Sequence, residues 1–185
     1  MIFLTVSRVL YDKGFGELAE ASGIIKKRYS GVEFQWLGNI DKDYVHSVSE
    51  SEVQRLHDAG LINFLGYKND VRDVMRRADC IVLPSYHEGM SRVLMEALAM
   101  GKPVIVSDVA GCRETVDDGV NGFLCEARDA VSLVMAIEKF MALSEDERVE
   151  MGRHSRMKAE MRFDIREVIE IYESLIDTLL PRDRG

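Results

Sequence analysis

The chain lacks the features that mark a membrane protein, a nucleic-acid binder or a disulfide-rich secreted domain. It has three cysteines in 185 residues, Cys80, Cys112 and Cys125, far apart and without metal-ligand spacing. That pattern excludes a disulfide framework and fits reduced, cytoplasmic thiols packed as small hydrophobes. No apolar run approaches the ~18 consecutive residues of a membrane span. The apolar start, Met1 to Val6, has no basic segment before it and meets Arg8 early. It reads as a first strand and not a signal peptide. Basic charge is in deficit: 24 Lys and Arg against 32 Asp and Glu leave a net charge of −8. Nucleic acid is therefore not the default partner, although local cations and helix ends can still hold an anion. His46 and His57 read as surface residues, with no metal pairing for either. No repeat, low-complexity segment or linker precedes the charged tail at 181–185.

What remains is ordinary globular material, 46% hydrophobic and 30% charged, enough for one domain with a sizeable core. Apolar runs at 2–6, 32–38, 62–67, 80–83, 104–106 and 122–125 predict about six strands. Helical periodicity lies between them. Phe15, Leu18, Ser22, Ile25 and Tyr29 share one face of a first helix. Ser49 to Glu52 and Ser144 to Glu147 have the form of capping boxes. Asp70 precedes a helix running through Arg77, with Val71, Val74 and Met75 inward. Asp129 opens a helix with Val131, Val134, Ile137, Phe140 and Met141 toward the sheet, and the next carries Val149, Met151 and Met157. The last helix, capped at 164–167 and stopped by Pro181, has an apolar stripe of Ile165, Val168, Ile169, Tyr172, Leu175, Ile176 and Leu179. Packing on its own domain is expected there, since the polar face is acidic and anionic lipid would repel it. Strands alternating with helices predict an α/β fold with a doubly wound parallel sheet and helices on both faces.

The stretch from Pro84 to Pro103 organises the chain. Cys80 to Leu83 leads in as a buried strand, a loop carries Glu88 and Gly89, a helix runs from Ser91 to before Gly101, and Val104 begins another strand. In such βαβ units ligands bind at the strand's carboxyl end. Gly89 lets a backbone pass close to a ligand or adopts a positive φ. Ser91 is a candidate N-cap, and the amides inside it, without a partner in the helix, can point at an anion. Glu88 and Glu96 can accept hydrogen bonds from hydroxyls, so the group suits a phosphorylated, polyhydroxylated ligand. Solvated loop and helix charges are the other reading of the same spacing. Arg8 and Lys13, beyond the first strand, either converge on a phosphate or solubilise a turn. Tyr67 either stacks on a base or is a half-buried aromatic.

The stretch Pro84-Ser85, Glu88-Gly89, Glu96-Ala97, Ala99, Gly101-Lys102-Pro103-Val104 resembles the donor-site signature of family 4 retaining glycosyltransferases of the two-Rossmann (GT-B) type. Ser107 to Glu114 and Asn121 to Leu124 continue the match, and Arg8-Val9 with Lys13-Gly14 resembles the family's Arg-Leu and Lys-Gly segment, with Val9 for Leu. The resemblance implies that residues 1–180 are a Rossmann-like donor-binding domain, one half of a GT-B fold with its C-terminal helices packed on it. The acceptor-binding amino-terminal domain would be absent. It implies a nucleotide-sugar, with a UDP-linked sugar expected, and neither cofactor nor metal. Glu88 would bind sugar hydroxyls and Glu96 the ribose. Arg8, Lys13 and the amides from Ser91 to Val93 would neutralise the departing diphosphate, making Arg8, Lys13 and Glu88 the catalytic set. Gly38 and Asn39 would lie near the base, read mostly by backbone groups, and Gly89, Met90, Ser91 and Arg92 would line the donor turn. Met90-Ser91-Arg92 departs from the commoner small or proline-containing turn. The wording of the motif is similar to the branch that builds bacterial capsule, O-antigen or lipid-linked glycans. That implies an acceptor glycan or lipid-linked sugar, a cytoplasmic location, and membrane contact only through the missing half. Two other classes stand beside this one. An epimerase would need an acid/base set that the sequence does not supply. A non-catalytic nucleotide sensor fits the same architecture, whereas a receiver-like module would need acidic residues where Ser7-Arg8 stands.

Overall fold

The computed structural model describes residues 1–41 and 43–179, and only the backbone of Glu167. Pro181 and the tail at 181–185 lie outside the described residues. Six strands form one sheet: β1 Ile2–Val6, β2 Glu33–Leu37, β3 Asn63–Phe64, β4 Cys80–Leu83, β5 Val104–Ser107 and β6 Gly122–Cys125. Their order is β3-β2-β1-β4-β5-β6, and every pairing is parallel. The expected α/β doubly wound sheet is thus what the chain forms. The chain reverses its direction of sheet growth between β1 and β4, which are neighbours. In open parallel sheets that switch point, at the carboxyl ends of the strands, is where a crevice opens.

The helices are α1 Phe15–Arg28, α2 Glu50–Asp58, α3 Arg72–Arg77, α4 Arg92–Ala99, α5 Ala130–Ala142, α6 Glu145–Arg162 and α7 Ile165–Leu179. Successive strand side chains point to opposite faces, so two cores result. Phe3, Phe34, Trp36, Val82 and Ile105 meet α1 and α5 through Phe15, Leu18, Ile137 and Phe140. Leu4, Ile81, Leu83 and Val106 meet α3 and α4 through Met75, Leu94 and Leu98. After α5 the chain passes to the second face. There Ala159 of α6 joins that core, and Arg156 Nη1 donates to Ala99 O at the end of α4.

Several helical details differ from expectation. The Ser144–Glu147 box forms in both directions, but at Ser49 only half does. The Glu52 side chain instead accepts from the Tyr11 hydroxyl at 2.6 Å. Asp70 acts one residue before the α3 N-cap, accepting from Arg72 N at 3.0 Å. Val131 lies on the outer side of α5, where Leu133 and Ala136 fill the inward positions. Val149 and Met157 are exposed on α6, and Tyr29 bonds Glu138 at the surface. The largest correction concerns α7. Its whole apolar stripe is exposed, from Ile165 to Leu179, so this helix does not pack on the domain. The cores on the two sheet faces are built from α1, α5, α3, α4 and α6, and no described residue of α7 belongs to either.

Candidate functional site

The loop after β1 is fixed and not a free turn. Val9 and Leu10 are buried, Val9 N donates to Asn39 O at 2.8 Å, and Tyr11 N donates to His46 O at 2.9 Å. Tyr11–Lys13 closes as a 3-10 turn ending at Gly14. This holds Arg8 and Lys13 at the carboxyl end of β1. The loop after β4 is tied to the same turn: Tyr86 N and Ser85 Oγ both donate to Asp12 O, at 2.8 and 3.1 Å. Ser85 Oγ also meets His87 O at 3.1 Å. Two loops from neighbouring strands are thereby locked across the switch point.

Their side chains meet. Lys13 Nζ donates to Glu88 Oε1 at 2.8 Å, and both side chains are mostly buried. Arg8 pairs with Asp41 at 2.7 Å and lies over the Tyr44 ring, 5.0 Å from its centroid. A third loop, after β5, presses on the second. Gly111 has φ +83°, and a Cβ on it would come within 1.6 Å of Gly89 O. Only glycine fits there. Ser91 N donates to Gly111 O at 3.4 Å, and Gly111 N donates to Glu114 Oε2 at 2.7 Å.

Ser91 is the backbone N-cap of α4, as expected, but it is buried and its hydroxyl makes no capping bond. The first-turn amides from Arg92 onward therefore have no side-chain acceptor. They remain available to an anion, with the helix dipole in its favour. Gly89 does not adopt a positive φ, and no atom lies within 4 Å of where its Cβ would be. Met90 and Arg92 are exposed on the turn, and Val93 is half-buried. Glu96 is half-exposed and pairs loosely with Arg92 at 3.7 Å. Beside Glu96 a groove of 590 Å³ runs between α3 and α4, lined by Asn69, Asp70 and Val71 among others. Those three were missed by sequence reasoning, because only the packing of α3 beside α4 brings them to Glu96.

Gly38 and Tyr67 sit at the ends of β2 and β3. The Gly38 amide is already given to Gly66 O at 2.9 Å, and a Cβ on Gly38 would meet Ser7 O at 1.8 Å. Its glycine is required by chain approach. Tyr67 is exposed, with 64% of its surface free.

Sequence reasoning also missed Asp12, Glu17 and Tyr86. Tyr86 OH donates to Glu17 Oε1 at 2.7 Å, and burial, with that bond, pushes the phenol up to about 12. The three cysteines are buried. Burial pushes the Cys112 and Cys125 thiols up to about 12, and Cys80 well above its ordinary value. Among the described residues, no three His, Cys, Asp or Glu side chains form a group able to hold a metal ion, and no helix is long and apolar enough to cross a membrane.

The model of the family described as glycosyl transferases group 1 matches residues 1–142. The chain belongs to that family. Among curated relatives, the N,N'-diacetylbacillosaminyl-diphospho-undecaprenol alpha-1,3-N-acetylgalactosaminyltransferase of Campylobacter jejuni is 29% identical, covering 97% of this chain and 45% of its own. The capsular polysaccharide biosynthesis glycosyltransferase CapM of Staphylococcus aureus is 28% identical, over 97% of this chain and 47% of its own. The chain thus spans about half the length of these relatives. Among solved structures, Anabaena HepE in complex with UDP-glucose superposes with a TM-score of 0.78 at 26% identity, over 96% of this chain and 48% of that one. The sucrose-phosphate synthase of Thermosynechococcus elongatus shares the fold, with a TM-score of 0.82 at 24% identity.

Proposed function

We propose that this chain is the donor-binding half of a retaining glycosyltransferase that takes a UDP-linked sugar. The observation that carries the reading is the meeting of Lys13 and Glu88 across the β1–β4 switch point, 2.8 Å apart. A cation that can hold phosphate and a carboxylate that can hold sugar hydroxyls stand side by side where a parallel sheet opens its crevice. Arg8 stands on the same loop as Lys13, and the uncapped amides of α4 begin four residues after Glu88. In the reaction, Arg8, Lys13 and those amides neutralise the charge developing on the diphosphate as the glycosidic bond breaks. Glu88 orients the sugar, and Glu96 takes the ribose hydroxyls beside the α3–α4 groove. The charge for the leaving group comes from protein groups, so the reading needs no metal or cofactor. Gly38 and Tyr67 lie at the β2 and β3 ends, on the side where the base would rest.

The acceptor, a glycan or lipid-linked sugar in bacterial polysaccharide or glycolipid synthesis, would be bound by a further domain. This part of the reading draws on the relatives, which include a capsular and an undecaprenol-linked transferase. We place the reaction in the cytoplasm. Calorimetric titration with UDP, GDP, ADP and UDP-glucose, with and without magnesium, tests the proposal. Metal-independent binding of the uridine compounds alone is expected. Binding that requires metal, or that prefers another base, overturns that part of it.

A further inference from the structure

We propose that His87, oriented by Asp12, is a third cation of the donor site, and that binding a donor diphosphate takes up a proton on its imidazole. The inference rests on the donor-site reading above. It starts from an unexplained carboxylate. Asp12 is 6% exposed, in the turn that positions Lys13. Its Oδ1 has no hydrogen-bond partner. Its Oδ2 has the Tyr44 hydroxyl at a long 3.4 Å and His87 Nε2 at 3.8 Å. A buried carboxylate so short of donors is uncommon, because its desolvation is not offset.

The other cations nearby are committed. Lys13 is held by Glu88 and Arg8 by Asp41. Arg128 lies 4.6 Å from the centroid of the Tyr86 ring, and Tyr86 itself donates to Glu17. His87 is the basic side chain that faces Asp12, and it is 72% exposed. Its carbonyl accepts from Ser85 Oγ, which holds the backbone beside Asp12, and a charge-assisted bond lies about 1 Å closer than the present 3.8 Å. With Nε2–H given to Asp12, Nδ1 is left for a ligand. Protonated, Nδ1–H donates to a phosphate oxygen next to Lys13; neutral, it cannot serve an anion in this orientation. Asp12 is the carboxylate that faces the ring at 3.8 Å, Glu88 follows His87 in the chain and is paired with Lys13, and Tyr86 before it is bonded to Glu17 with Arg128 over its ring. A diphosphate adds negative charge to this set and so draws a proton onto the ring.

UDP-glucose is the suitable probe, because both of its phosphates are esterified and neither titrates near neutrality. The full chain is titrated calorimetrically at about pH 6 and about pH 8, in two buffers of different ionisation enthalpy. The expected result is binding about fivefold to tenfold tighter at the lower pH, with proton uptake. His87→Gln should bind equally at both pH values with no uptake. His87→Arg should bind tightly at both. Asp12→Asn should flatten the pH effect. A His87→Gln chain that keeps the slope and the uptake overturns the proposal, as does wild-type binding of equal strength at both pH values; in either case donor binding itself stands. Absence of binding at both pH values removes the donor-site reading and this proposal together.

Discussion

Replacing Lys13 by methionine removes a charge while keeping most of the stem. Lys13 and Glu88 are 2.8 Å apart, with side chains 17% and 15% exposed. A fully exposed pair contributes about 0–1 kcal/mol, whereas removing one member of a fully buried pair costs about 3–5 kcal/mol. This pair lies between those limits, and solvent screens part of the charge. Lys13→Met is expected to cost about 2 kcal/mol of folding stability. Glu88→Gln should cost about 1 kcal/mol, because its amide oxygen still accepts from the ammonium. The double variant should fall short of the sum by about 1 kcal/mol, which is the coupling. Urea unfolding of the four chains at low salt measures it. The pair also makes a functional prediction. In the free protein Glu88 occupies the ammonium that a phosphate needs, so Glu88→Gln should bind UDP as well as or better than wild type, yet bind UDP-glucose worse. Zero coupling, together with weakened UDP binding in Glu88→Gln, would refute this account of the pair.

Gly111→Ala should be severe, since a Cβ would stand 1.6 Å from Gly89 O. A loss of about 3 kcal/mol or more in urea unfolding, with weakened UDP binding, is expected, because the loop carrying Glu88 must move. Leu175→Ala on α7 should cost less than about 0.5 kcal/mol, whereas Phe140→Ala in the core should cost about 3–5 kcal/mol; the same urea series reads both. All three thiols should resist a thiol-specific reagent at pH 7 in the folded chain and react in denaturant. Burial holds them in the protonated form, with Cys112 and Cys125 titrating only near about 12.

The fold was legible because its signal is periodic. The apolar runs at 2–6, 80–83 and 104–106 became β1, β4 and β5 nearly residue for residue. The site was legible in pieces. Arg8, Lys13, Glu88 and Ser91 could be picked from their loops, but the contact between Lys13 and Glu88 depends on β1 and β4 being neighbours. That adjacency is a property of strand order, which local sequence does not encode. Asp12 was missed because a charged residue in a polar loop reads as solvated. Its burial comes from the Pro84–Tyr86 loop, which returns to bond its carbonyl. The α7 stripe was misjudged for the converse reason. Periodicity reports that a helix has an apolar face, and it does not report whether the fold packs that face against anything.

The central claim is that Arg8 and Lys13 hold the donor diphosphate. Calorimetric titration of the chain with UDP, beside Arg8→Ala and Lys13→Ala, tests it most directly. Removing one hydrogen bond to a charged group costs about 1.5–3 kcal/mol, so each variant should bind roughly tenfold to a hundredfold more weakly. Wild-type affinity retained in both variants would contradict the assignment.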